Sequence, residues 1–380
     1  MAESNEAVTG EMEGFNQLPP VLRIEEKTLP SNSILLAAMG FEERSLATIS
    51  MLRETSTRVR TTFLVKYDPP SGPNKEDETK ALAESISDSK PIVFRFDRFQ
   101  SSSYLELETQ WARIEDSRSK DAIIDISGMS RFLILSILFA ARNSKKRILL
   151  VHFEPKKYHP TKNEFEELIR TRPIRPGPFI IKGGISNLLS SPWFSSVHFN
   201  ERPVSFVGFP GFDSEFLTEP IEELAPESIL LVEPGTDSEP WWRDAYKKLN
   251  RGVYESPGFR LNVVSARTQD YHDVLSILEN LYRSDGTTHR IVVAPTGSKL
   301  QAIGSFFFKV IRPEVELVYP SPIEHNPHSV EGTGMGLVVD FGIFENLTTL
   351  LRGIRRKEVT KLASRLNEIL SSSSGWDRKG

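Results

Sequence analysis

Short β-branched and aromatic runs recur along this chain, and each gives way to a stretch where apolar residues return every three or four positions. Strands are predicted at Ser33–Met39, Thr62–Tyr67, Ile92–Phe96, Ala122–Ile126 and Arg147–Phe153. The intervening stretches Arg44–Glu54, Lys75–Ser85, Ser102–Glu115 and Arg131–Asn143 predict helices. Strands alternating with helices signal βα units and a mainly parallel sheet. After residue 202 the pattern starts again. Strands are predicted at Val204–Gly208, Ser228–Glu233, Phe259–Val264, Arg290–Ala294 and Val315–Tyr319. Helices follow at Trp241–Asn250, Tyr271–Arg283 and Leu300–Ile311.

Local likeness accompanies the repeated pattern. MGFEERS at 39–45 parallels PGFDSEF at 210–216, and the segment 122–140 parallels 291–309. HFEPKKYHP at 152–160 parallels YPSPIEHNPH at 319–328. Gly40 precedes Gly128 by 88 positions and Gly211 precedes Gly297 by 86. The expected fold class is therefore α/β: two similar Rossmann-like parallel-sheet units, an internal duplication, with a short C-terminal helix. The expected division is a disordered tail over 1–20, a first unit over 21–170, a linker over 171–202, a second unit over 203–344, and a C-terminal helix and tail over 345–380. The linker is assigned on its Pro, Gly and Ser content.

Composition narrows the function. Apolar residues make up 38% and charged residues 26%, enough to bury cores and exclude a disordered chain. Cysteine is absent, which removes disulfides, Cys-ligated metals and Cys nucleophiles. Lys plus Arg is 47 against 51 for Asp plus Glu, a net charge of -4. Tight binding to duplex DNA is therefore not expected, the basic run LRGIRRK at 351–357 being the local exception. The apolar stretch Phe132–Ala141 falls short of the ~18 residues of a membrane span. The acidic start MAESNEAVTGEMEG has no apolar core, so no secretory leader, no membrane and a cytoplasmic location are expected.

In an open parallel sheet, ligands collect beyond the carboxyl ends of the strands. Four predicted loops lie there. Asp125-Ile126-Ser127-Gly128-Met129-Ser130-Arg131 opens an apolar helix, and its small residues let backbone amides approach an anion. Thr296-Gly297-Ser298-Lys299 repeats that context without the spacing of a P-loop or a GxGxxG fingerprint. The other two loops carry Gly40, Glu42, Glu43, Arg44 and Ser45, and Gly211 and Asp213. Ligand-binding candidates are thus Gly40, Arg44, Ser45, Ser127, Gly128, Ser130, Arg131, Gly211, Asp213, Thr296, Gly297, Ser298 and Lys299. Arg131 and Lys299 read as exposed cations, since a cation at a helix start opposes the dipole and is kept for a ligand. The competing account of both glycine loops is an ordinary helix cap. His159, His325 and His328 with Glu154 and Glu324 form a loose His/Glu set, but HxxH in a Pro-rich loop lacks helical zinc geometry, so no metal and no cofactor are expected.

Strand, then Pro295-Thr296-Gly297-Ser298-Lys299, then apolar helix resembles the CRISPR-associated Rossmann fold (CARF) sensor domains, whose loop after the fourth strand reads [DN]xTxGTK or close to it. Asp125 with Ser127–Arg131 is similar to a degenerate form of that loop, and Gly40–Ser45 and Gly211–Ser214 match the family's loop after the first strand. Both glycine loops lack the motif's second glycine. The resemblance covers about residues 31–160 and 203–330. It implies a sensor in bacterial antiviral defence, with paired domains surrounding a cyclic oligoadenylate or related nucleotide; here one chain supplies both partners. Read from the residues, the chain is a binding protein for a nucleotide or other phosphorylated small molecule. Two other functions stay open. One is an enzyme on a nucleotide or nucleoside-type substrate, with Asp125, Glu42 and Glu43 as acid/base candidates. The other is a scaffold subunit with a protein partner.

Overall fold

The computed structural model describes residue 15 and residues 18–70, 75–171, 179–196, 201–235 and 237–353. The strands in chain order are β1 (Leu22–Arg23), β2 (Ile34–Ala38), β3 (Thr61–Tyr67), β4 (Ile92–Phe96), β5 (Asp121–Asp125), β6 (Arg147–Phe153), β7 (Lys157–Tyr158) and β8 (Ile181–Leu189). They continue as β9 (Val204–Gly208), β10 (Ser228–Pro234), β11 (Arg260–Ala266), β12 (Arg290–Val293), β13 (Glu316–Leu317), β14 (Tyr319–His325), β15 (Val330–Glu331) and β16 (Gly336–Ile343).

β2 to β6 form a parallel sheet in the order β4-β3-β2-β5-β6. β9 to β13 form a second, in the order β11-β10-β9-β12-β13. Both orders run third, second, first, fourth, fifth. The first strand therefore stands at the centre, and the order reverses between first and fourth. At that reversal adjacent loops leave a crevice, because their helices depart to opposite faces. Nearly every residue of β2, β5, β6, β9 and β10 is buried, as sheets covered on both faces require.

Two helices join the units. Helix 131–141 is apolar almost all round and helix 299–311 is buried along its whole length, its polar residues included, so each is covered on every side. They pack on each other, with Phe139 and Phe306 edge to face at 5.0 Å.

The structure departs from the expected division in three places. First, β16 falls in the range assigned to the second unit, yet it pairs antiparallel with β6, and β1 pairs with β16. The first sheet thus has seven strands, not five. Second, the expected linker carries β8, which pairs antiparallel with β14. Its composition hid it: Gly183 and Gly184 adopt φ of 79° and 83°, which suit glycine at an irregular stretch of strand. Phe194 of the same stretch is fully buried, 5.5 Å from Phe132 and 5.4 Å from Phe139. Third, within the tail expected over 1–20, Phe15 and Leu18 lie in the core. The Tyr271 hydroxyl donates to the Pro19 carbonyl at 2.6 Å and holds this segment to the second unit. The expected C-terminal helix is present over Phe344–Gly353. Residues 354–357 of LRGIRRK lie outside the described residues. No described helix is long and apolar enough to cross a membrane.

Candidate functional site: a cleft between the two units

The carboxyl ends of both sheets open onto one cleft of ≈ 740 Å³. Its wall includes Gly128, Ser130 and Arg131 from the first unit and Thr296, Gly297, Ser298 and Lys299 from the second. The two loops are laced together reciprocally. Arg131 Nε donates to the Gly297 carbonyl at 2.9 Å, and Lys299 Nζ donates to the Ser127 carbonyl. Each cation begins a helix of its own unit and reaches a backbone oxygen of the other's glycine loop.

Both caps named as the competing account are present. Ser130 Oγ accepts from Leu133 N at 3.2 Å, and Ser298 Oγ from Gln301 N at 3.0 Å. Gln301 completes a capping box by accepting from Ser298 N at 2.8 Å. Caps and cleft wall thus coincide. Lys299 corrects the expectation of an exposed cation: it is 8% exposed. Burial, with Arg44 and Arg131 nearby, pushes its ammonium well below the usual lysine range, although Glu42 and Asp125 oppose the shift. Arg131 remains partly exposed and bonds through Nε alone among the described residues.

The other candidates divide. Glu42, Arg44 and Gly211 also line the cleft. Arg44 is buried, pairs with Glu42 at 2.5 Å and donates to the Phe153 carbonyl at 3.2 Å. Burial opposes ionisation of Glu42, but Arg44 and Lys299 outweigh it and hold the carboxyl at about 2. Asp125, Glu43, Gly40, Ser45, Ser127 and Asp213 are not part of the wall. Their work is local. Asp125 Oδ1 accepts from Ser127 N at 2.8 Å, and Ser127 Oγ accepts from Phe153 N at 2.8 Å, fixing the glycine loop to β6. Ser45 Oγ donates to the Glu42 carbonyl at 2.6 Å. Asp213 accepts from the amides of Phe179, Ile180 and Ile181 at 2.7, 2.7 and 3.0 Å. Asp125 is 1% exposed and Glu43 faces outside the cleft, so neither stands where the acid/base expectation needs it.

Gly40 and Gly128 explain why this crevice is tight. A Cβ on Gly128 would stand 2.9 Å from Ser45 Cβ and 3.1 Å from the Ala38 carbonyl oxygen. Gly128→Ala should therefore cost about 1–3 kcal/mol by overpacking, read from thermal or urea denaturation. An unchanged midpoint would show that the loops have room to part.

Sequence reasoning missed a second tier of the wall. His152 on β6 is buried, with Nε2 3.1 Å from Glu154 Oε1 and no partner for Nδ1 among the described residues. The Tyr158 hydroxyl donates to Glu154 Oε2. Burial pushes His152 down to about 4. Burial also opposes ionisation of Glu154, yet His152 and Tyr158 bring its carboxyl to about 2. Arg98 lines the cleft as well; it donates to the Pro69 and Pro322 carbonyls at 3.2 and 2.7 Å and to that of Ile323. Of this tier the sequence marked only Glu154, in the loose His/Glu set with His159, His325, His328 and Glu324. The structure separates those histidines: His159 Nδ1 meets Glu164 at 2.8 Å, whereas the His325 ring faces Phe41 at 6.5 Å. Among the described residues no three His, Asp or Glu side chains gather as a metal-binding group.

The two parallel segments cross between units. After β6 the chain runs over the second unit, where Phe165 and Phe179 pack on Phe212 at 6.2 and 5.8 Å. After β13 it runs over the first, where Ser321 donates to the Arg98 carbonyl at 3.0 Å. β7 then pairs with β15, so the arms meet beside the cleft.

No family model matches the sequence, and no curated protein matches it. Among solved structures, a type III CRISPR defence DNA nuclease activated by cyclic oligoadenylate is 11% identical with a TM-score of 0.43. That match covers 76% of this chain and 65% of the nuclease, less than two thirds of its length. Can2 from Sulfobacillus thermosulfidooxidans, in complex with cyclic tetra-adenylate, is 12% identical over 31% of each chain, with a TM-score of 0.23. An N-terminal ketoreductase from a macrolactin assembly line is 12% identical, covering 79% of this chain and 73% of its own, with a TM-score of 0.21. The α/β class rests on the strand order itself, which is Rossmann-like in both units.

Proposed function

We propose that the protein is a binding protein or sensor for a nucleotide, held in the cleft between its two units. One observation carries this reading. Among the described residues the cleft wall holds seven Lys and Arg (Arg44, Arg98, Arg131, Lys156, Lys157, Lys162, Lys299) against four Asp and Glu (Glu42, Glu154, Asp237, Glu239), in a chain whose net charge is -4. A concave site of opposite sign to the whole molecule gathers anions. The tryptophans and tyrosines in the same wall suit a ring. Of the acid/base candidates, Asp125 and Glu43 stand outside the wall and Glu42 is paired with Arg44.

A thermal-shift panel of mono-, di- and cyclic nucleotides, including the cyclic tetra-adenylate bound by Can2, tests the proposal. A ligand at 100 times its Kd adds about 2.7 kcal/mol to stability. Arg131→Ala should then weaken binding roughly 10- to 100-fold, as losing one charge-assisted contact does. A panel in which no nucleotide shifts the transition removes the proposal and leaves the scaffold reading. Antiviral defence is the setting that the sequence resemblance suggests for such a sensor.

A further inference from the structure

Arg131 reaches the cleft with most of its hydrogen-bonding capacity unspent. Its Nε is taken by the Gly297 carbonyl, but among the described residues its two terminal amino groups have no partner and it forms no ion pair. Carboxylates of the wall are engaged elsewhere. Glu42 is paired with Arg44, Glu154 with His152 and Tyr158, and Asp237 accepts from Gln269 N at 2.7 Å.

Two phenols share this part of the wall. Tyr246 is 8% exposed and Tyr319 is 3% exposed; both line the cleft, and the Arg131 charge acts on both. Neither hydroxyl has a hydrogen-bond partner among the described residues. Their rings are fixed by packing. Tyr246 meets Phe212 edge to face at 4.8 Å, and Tyr319 stacks on Phe132 at 5.9 Å. Burial pushes both phenols up, so each keeps its proton and can donate it to a hydrogen bond. Arg98, the other cation acting on Tyr319, is turned to the carbonyls of Pro69, Pro322 and Ile323. A buried hydroxyl without a partner costs stability, so two beside one unpaired guanidinium mark a place that a ligand completes.

We infer that Arg131, Tyr246 and Tyr319 form a subsite for one phosphoryl group of the ligand. The free fork of the guanidinium suits two oxygens side by side, and each phenol donates to an oxygen without adding charge. All three side chains offer donors, which favours an oxyanion over a nucleobase edge, whose amino groups need acceptors. The inference rests on the nucleotide reading above and assigns the residues that take its phosphate.

Calorimetric titration of the full chain with adenosine diphosphate, inorganic pyrophosphate and adenosine tests it. Tyr246→Phe and Tyr319→Phe each remove one O–H and keep the ring. Each should weaken adenosine diphosphate and pyrophosphate about tenfold and leave any binding of adenosine unchanged, as loss of one hydrogen bond to a charged group does. Without ligand, both variants should melt at or above the unaltered protein, since the hydroxyl removed has no partner there. A lower melting temperature with unchanged affinity makes the hydroxyls structural and overturns the subsite. Adenosine weakened as much as the diphosphate overturns it too, by turning the phenols to the nucleoside. If one variant fails to fold, the other decides. Adenosine diphosphate binding equally to both variants and the unaltered protein removes the subsite and leaves the cleft a nucleotide site. Pyrophosphate binding without any nucleotide binding keeps the subsite and removes the nucleotide reading; binding of neither removes both.

Discussion

Lys299→Met is expected to make the unliganded protein more stable, by about 1 kcal/mol, while weakening nucleotide binding 10- to 100-fold. The two effects have one cause. The Lys299 amine is buried among Arg44 and Arg131, and its charged form is disfavoured there. Because its folded value lies below the unfolded 10.5, the folded state binds fewer protons between the two, and this group lowers stability as pH falls through that window. Methionine fills similar volume without the charge. The hydrogen bond to the Ser127 carbonyl is lost, which limits the gain. An arriving phosphate supplies the missing anion and favours the charged amine, so a proton exchanged at this site on binding is one taken up. Calorimetry in buffers of different ionisation enthalpy measures that proton. A variant that melts lower and still binds normally would make Lys299 a structural tie and nothing more.

The second large effect is acid lability. His152 is held at about 4 by burial, so as pH falls the unfolded chain takes up this proton first, near 6.5, and the folded state resists until about 4. Stability is therefore lost across that interval, by roughly 3 kcal/mol once complete, at 1.36 kcal/mol per pKa unit. His325, also lowered to about 4, faces the open cleft and adds a smaller loss over the same interval. Below pH 4.5 the sign is the same for a different reason. Glu42 and Glu154, both at about 2 when folded, contribute stability that disappears as pH drops from 4.5 to 2. Urea midpoints at pH 7.5, 5.5 and 4.5 should fall steeply, and His152→Gln, which cannot take up the proton, should flatten the curve. An equal pH slope in His152→Gln would assign the lability elsewhere.

The βα rhythm was legible because each buried strand is a compact apolar run and each helix has its own period. The glycine loops were legible because strand, small residues and apolar helix follow one another directly. What escaped depends on contacts far along the chain. β16, GLVVDFGI, is as apolar as any strand, but nothing local says that it turns back to β6 rather than extending the second sheet. β8 escaped because its two glycines read as linker, and only the φ values show their use in a strand. The roles of Asp125 and Asp213 could not be read either: a carboxylate ending a strand looks alike whether it faces a ligand or three backbone amides. Lys299 looked exposed because a helix start usually is, and its burial comes from the opposite unit.

The placement of β16 also bears on how the molecule is made. β6 becomes an interior strand only when residues 336–343 arrive, and β1 waits in turn for β16. A growing chain that has emerged to residue 202 thus carries the hydrogen-bonding edge of β6 open, together with helix 131–141, whose apolar surface has no helix 299–311 to cover it. Such an edge and such a surface are what a nascent chain must shield from its neighbours. The first half is then a template that β16 closes, so the first sheet has all its described strands only once the chain has been made to residue 343.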